Sequence, residues 1–195
     1  MGSIKEIYKI GRGPSSSHTI GPEKACMIFK ERNSDADFFK AILYGSLAKT
    51  GKGHGTNTII EKTLAPTPCE VEFCFADEDI PHPNTLVLIA YKNKSELERT
   101  RVFSIGGGNI LFEMDQEKPA DIIYKETKFK EIADHCKSKK IRLWEYVKEN
   151  EPEDFIKGLK EAWETMKTSI EEGIETEGIL PGGLKLQRKA KTLYN

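Results

Sequence analysis

The spacing of apolar positions divides the chain into three stretches. In the first, to about Pro68, Ala25, Cys26, Ile28 and Phe29 recur at helical spacing behind Pro22. Proline suits a first helical turn, so a helix is predicted from Pro22 to about Glu31. The run Phe38 to Leu43 predicts a strand. Tyr44 to Asn57 carries four glycines and reads as a Gly-rich turn. A second helix is expected over about Thr56 to Leu64, stopping before Pro66 and Pro68.

The second stretch, about residues 69 to 115, reads as a meander of strands. CEVEFCF alternates, TLVLIAY is apolar throughout, and TRVFSI and NILFEM flank three consecutive glycines. The third stretch, Lys128 to Glu175, is helical by pattern. Phe129, Ile132 and Cys136 form one stripe, Ile141, Leu143, Trp144 and Val147 another, and Phe155, Leu159, Trp163 and Met166 a third. The expected class is therefore α+β: a mixed or antiparallel sheet with helices on one face, followed by a helical C-terminal arm. The basic, turn-rich end EGILPGGLKLQRKAKTLYN suggests no folded destination of its own.

Length and composition are consistent with that class. A chain of 195 residues with 37% hydrophobic and 31% charged residues is long enough to bury about 70% of its unfolded surface, which excludes disorder. Thirty Lys and Arg against 31 Asp and Glu leave a net charge of −1, so no overall field draws the molecule to nucleic acid or to anionic lipid. The longest apolar run, Leu86 to Tyr91, is far short of the roughly 20 residues needed to cross a bilayer. The opening MGSIKEIYKI lacks the apolar core of a signal peptide. A cytoplasmic location is expected, with neither a membrane nor a nucleic-acid partner. Cys26, Cys69, Cys74 and Cys136 contain no CxxC pair and fall in apolar segments, so they are expected to be reduced, buried thiols.

Two clusters are dense in functional groups. GRGPSSSHT, Gly11 to Thr19, concentrates hydroxyls, backbone N–H groups and one imidazole in nine residues. It suits a cradle for a carboxylate or phosphate, and equally a Ser-rich turn capping the next helix. TGKGHGTN, Thr50 to Asn57, has the composition of a phosphate-binding loop but not its spacing, because Gly53 follows Lys52 where a Ser or Thr is required. What remains is His54 between two glycines, with Lys52, Thr56 and Asn57 nearby, a setting that exposes an imidazole to a ligand. Gly106, Gly107 and Gly108 suit a hairpin turn with positive φ, or a close approach of backbone to a ligand. His82, between two prolines, and His135, on a helix, are expected to be structural or solvated.

Taken in order, GPSSSHTIGPEKA, LYGSLAKTGKGHGTN, FSIGGG and EGILPGGLKLQRKA resemble the iron–sulfur-dependent L-serine dehydratases, also called L-serine ammonia-lyases. The resemblance implies that this chain corresponds to the N-terminal β domain or β chain, a fold similar to the allosteric substrate-binding domain of some phosphoglycerate dehydrogenases. It implies a [4Fe–4S] cluster ligated outside this chain by an α domain or α chain, with none bound here. It further implies a homo-oligomer acting on L-serine. By resemblance, Ser15, Ser16, Ser17, His18 and Thr19 recognise the carboxylate and ammonium of serine. His54 is the acid or base, with His18 as the other candidate, and Lys52, Thr56 and Asn57 shape its loop. Asn57 stands where many relatives have Asp, which removes a negative charge able to steer an ammonium or orient His54.

The expected organisation is a β domain over residues 1–125, a helical linker over 126–178 and the start of an α domain over 179–195. On that reading the chain alone is inactive. The alternative is a free-standing, non-catalytic domain that binds serine or a related hydroxy acid, against which stands the basic, capless segment LKLQRKAKTLYN.

Overall fold

The computed structural model describes residues 1–11, 13, 15–76, 80–115, 122–180 and 185–195. The chain divides into two compact units, one of Gly11–Glu117 and one of Met1–Ile10 with Lys118–Asn195.

In the first unit a five-residue π turn, Ser16–Ile20, runs directly into α1 (Gly21–Arg32), with Pro22 at its start as the sequence predicts. Then follow β1 (Phe38–Leu43), α2 (Gly45–His54), α3 (Thr56–Leu64), β2 (Cys69–Phe73), β3 (Thr85–Lys92), β4 (Ser95–Gly106) and β5 (Asn109–Phe112). The sheet has the order β2-β1-β3-β4-β5. The β1 and β2 strands pair in parallel, which requires a crossover, and α2 with α3 supply it. The other pairs are antiparallel. The sheet is thus mixed, with β3, β4 and β5 forming the expected meander. β2 is not part of that meander: it lies at the edge beside β1. The two hairpins turn on residues with positive φ, Asn93 and Lys94 in one, Gly106, Gly107 and Gly108 in the other.

One face of the sheet is the core. Alternation along β1 buries Phe39, Ala41 and Leu43, which meet Leu86, Leu88 and Val102 from neighbouring strands and Phe29, Leu47, Ile60 and Leu64 from the helices. Full burial of one such Leu or Phe contributes about 1.5–3 kcal/mol, so this cluster dominates the stability of the unit.

The segment expected as a Gly-rich turn is instead α2, and His54 lies in its last turn rather than in a loop. Interior glycine costs a helix about 0.5–1 kcal/mol each. Burial of Leu47 and Ala48 against the core offsets Gly51 and Gly53. Gly55 then adopts the left-handed conformation, φ 71°, that ends α2 and lets α3 start at the next residue.

The second unit contains α4 (Phe129–Lys139), α5 (Leu143–Asn150), α6 (Phe155–Glu175) and α7 (Ala190–Tyr194), with a 3-10 turn at Ile4–Glu6. The first residues are tied to its helices. The N-terminal ammonium donates to the Tyr124 carbonyl at 3.0 Å, and the Ile123 and Tyr124 N–H groups donate to the Met1 carbonyl. Glu151, 8% exposed, accepts from the Ser3 hydroxyl, the Ile4 N–H and the Tyr124 hydroxyl. His135 is structural as expected. Its Nδ1 lies 3.1 Å from Glu126 and its ring stands edge-on to Tyr146.

The C-terminal segment, expected to lack a folded destination, does acquire structure. Ile179 pairs with Gln187, and α7 packs on α6. Residues 181–184 lie outside the described residues. Among the described residues no helix is long and apolar enough to cross a membrane.

Candidate functional site

The site forms where the π turn before α1 meets the face of α2. In the turn, the Ser15 carbonyl accepts the Thr19 N–H at 2.9 Å and also the Thr19 hydroxyl. The Gly21 N–H reaches the Ser16 carbonyl, giving the i to i+5 closure of a π turn. This wider turn brings His18 under α2, with 8% of its surface exposed. From below, the buried Thr56 hydroxyl donates to the His18 carbonyl at 2.7 Å. The triple-glycine hairpin closes on the end of the turn: a Cβ on Gly108 would stand 2.8 Å from Ile20 Cγ2.

The His18 ring is bonded on both edges. Its Nδ1 lies 3.0 Å from Ser17 Oγ and 3.4 Å from Ser15 Oγ. Its Nε2 lies 2.9 Å from Thr50 Oγ1 and 3.1 Å from Ser46 Oγ, both on α2. One turn further along the helix, His54 Nδ1 lies 3.0 Å from the Thr50 carbonyl. The two imidazoles are stacked, with ring centroids 4.7 Å apart and planes 30° from parallel.

Burial pushes the His18 imidazole below the ordinary histidine range. The Ser46 carbonyl opposes that shift, and the neighbouring His54 ring reinforces it. A neutral imidazole is therefore held among hydroxyls. That arrangement can accept a proton from a bound molecule near neutral pH.

The residues singled out from the sequence do not all converge. Ser15, Ser17, His18 and His54 come together. Thr19 and Thr56 are buried, and their hydroxyls are engaged by the carbonyls of Ser15 and His18, so they shape the turn. Ser16 contributes its carbonyl to the turn closure. The Lys52 ammonium lies over the Phe73 ring, 5.5 Å from its centroid, a cation–π contact. Asn57 is half-buried in the first turn of α3.

Two residues that the sequence reading missed, Ser46 and Thr50, make the closest contacts to His18 Nε2. The missing signal was the helix itself. Ser46, Thr50 and His54 are spaced four apart and share one face of a helix, a relation invisible while the segment is read as a turn.

Residues 3–73 match the serine dehydratase beta chain family, and the matched segment contains every residue of the site. Over these residues the chain is a member of the serine dehydratase beta chain family. It is 31% identical over 245 residues to an L-serine dehydratase of Haemophilus influenzae, covering 100% of this chain and 54% of that protein. It is 32% identical over 243 residues to L-serine dehydratase 2 of Escherichia coli, covering 99% of this chain and 53% of that protein. An L-serine dehydratase of Streptomyces coelicolor is 30% identical over 242 residues, with 96% and 53% covered. The chain therefore spans about half the length of the curated relatives it matches.

The described residues do not fit an iron–sulfur cluster. Cluster ligation requires several thiolates within reach of one another. Cys26 is fully buried in α1, Cys69 starts β2, Cys74 follows that strand, and Cys136 belongs to the other unit. Burial pushes the Cys69 thiol up to about 12 and the Cys26 thiol higher still, which disfavours the thiolate. Among the described residues, no three His, Cys, Asp or Glu side chains are grouped to hold a metal ion.

Proposed function

We propose that this chain supplies the β-domain share of an L-serine dehydratase site, in which L-serine loses its α-proton and β-hydroxyl and becomes pyruvate and ammonia. The observation that carries the reading is the stacked pair His18 and His54, set beside the hydroxyls of Ser15 and Ser17. The names of the relatives support serine as the substrate. The cluster that the resemblance implies is assigned to the remaining part of the enzyme, and every step given to this chain runs through its own side chains.

The elimination needs two proton movements. A base takes the proton from Cα, the electron pair forms the Cα–Cβ double bond, and the β-hydroxyl leaves as water after receiving a proton. The aminoacrylate then tautomerises to the imine, and water hydrolyses it to pyruvate and ammonia. Two neighbouring imidazoles can divide these roles, one accepting and one donating. Recognition of the carboxylate and ammonium is assigned to Ser15 and Ser17, beside the imidazoles, and to Ser16 in the turn between them. Thr19 holds their turn, while Lys52, Thr56 and Asn57 define the end of α2 and the start of α3 around His54.

In the complete enzyme, His54→Asn and His18→Asn should each lower turnover at least about 100-fold, since positioned acid–base groups contribute 10²–10⁴-fold. His135→Asn, in the other unit and paired with Glu126, should stay within a small factor in rate. Steady-state kinetics with matched thermal melts separate chemistry from folding. Near-normal turnover in both site variants would remove this assignment.

A further inference from the structure

We propose that Thr50 is a positioning residue that sets opposite tautomers on the two imidazoles: its hydroxyl keeps the His18 proton on Nε2, and its carbonyl keeps the His54 proton on Nδ1. The unprotonated nitrogens are then Nδ1 of His18, beside the Ser17 and Ser15 hydroxyls, and Nε2 of His54. Their use in the elimination rests on the function proposed above, whereas the tautomers themselves follow from hydrogen bonding alone.

The assignment comes from counting donors. Thr50 Oγ1 lies 2.9 Å from the Ser46 carbonyl, and a carbonyl can only accept, so the single hydroxyl proton of Thr50 is used there. The same oxygen lies 2.9 Å from His18 Nε2, a contact in which Thr50 must now accept and the ring must donate. The Ser46 carbonyl, 3.4 Å from that nitrogen, is a second acceptor that favours a proton at Nε2, and the Ser46 hydroxyl, 3.1 Å away and able to donate or accept, is compatible with it. On the opposite edge, the Ser17 and Ser15 hydroxyls can either donate or accept, so they accommodate an unprotonated Nδ1 by donating to it. For His54 the count is shorter. Its Nδ1 meets the Thr50 carbonyl at 3.0 Å, so Nδ1 carries the proton and Nε2 does not.

Both rings are thus oriented through one residue of α2, by its side chain in one case and its main chain in the other. This asymmetry makes the proposal separable. Thr50→Val keeps the β-branched shape and the carbonyl but removes the hydroxyl, so it should disturb His18 and spare His54. Thr50→Ser keeps both groups.

The test is long-range ¹H–¹⁵N spectroscopy of the full chain labelled on its histidine nitrogens, each ring assigned from its own substitution. Above the titration range, His18 should show a protonated Nε2 and His54 a protonated Nδ1. Thr50→Val should shift the His18 nitrogens toward a mixture of tautomers, leave His54 in place, and be rescued by Thr50→Ser with unchanged melting behaviour. In the complete enzyme, turnover of Thr50→Val should fall about tenfold or more, as wrong-tautomer substitutions do elsewhere, and Thr50→Ser should restore it. A His18 protonated on Nδ1 in the unsubstituted chain, or His18 nitrogens unmoved by Thr50→Val, would overturn the proposal. Tautomers as assigned, together with full turnover in both His18→Asn and His54→Asn, would support it and overturn the proposed function instead.

Discussion

His18 keeps its neutral form because the turn that carries it places the ring beneath α2, away from water. The consequence for stability has a definite sign. The unfolded chain binds the imidazole proton at about pH 6.5, while the folded chain binds it only at lower pH. Across the interval just below the ordinary histidine range the unfolded state therefore holds more protons, and acidification favours unfolding. The stability this ring confers is present above that range and is lost as pH falls through the lowered folded value. Denaturation midpoints measured between about pH 8 and pH 5 should fall on acidification, and His18→Gln should flatten that slope. An identical slope in the variant would mean that another group titrates.

At the scale of elements, each part of the site is held by a neighbouring element. The left-handed Gly55 ends α2 so that His54 occupies its last turn and Thr56 opens α3 directly beneath the His18 carbonyl. The second unit uses the same kind of device around Glu151. Burial alone would raise that carboxyl, but hydrogen bonds from Ser3, Tyr124 and Ile4 outweigh it and hold Glu151 below the usual carboxylate range. Its contribution to stability is therefore present above the unfolded value near pH 4.3 and disappears as pH falls through the lower folded one. Glu151→Gln should destabilise the second unit by about 1–3 kcal/mol, because an amide cannot accept from all three donors. Hydrogen exchange should show faster opening of α4 and α5, with β1 and β3 unchanged. Equal acceleration in the sheet would contradict the division into two units.

For the whole molecule, the fact that decides behaviour is that the chain spans about half of its L-serine dehydratase relatives. The pocket proposed here has one wall in this chain, so L-serine should bind the isolated chain at millimolar strength or weaker, roughly −4 kcal/mol. An NMR titration should move the amides of residues 15–19 and 52–57 first. Shifts concentrated in residues 128–175 would place the ligand in the other unit.

The sequence by itself determined the local structure and the family. Helical spacing behind Pro22, the strand FFKAIL, the helix Thr56–Leu64 and the triple-glycine hairpin were all legible, because each depends on neighbours within a few residues. The motif around His18 and His54 was legible for the same reason. The helix Gly45–His54 was not, since the two interior glycines Gly51 and Gly53 argue against it and only burial of Leu47 and Ala48 against distant strands decides in its favour. With that helix hidden, Ser46 and Thr50 could not be aligned on one face with His54. The parallel pairing of β2 with β1 and the docking of residues 1–10 on the C-terminal helices were likewise settled by contacts between residues far apart in sequence. Hydrophobic periodicity records which face of an element is buried; the partner that covers that face is decided by the packing of the folded chain.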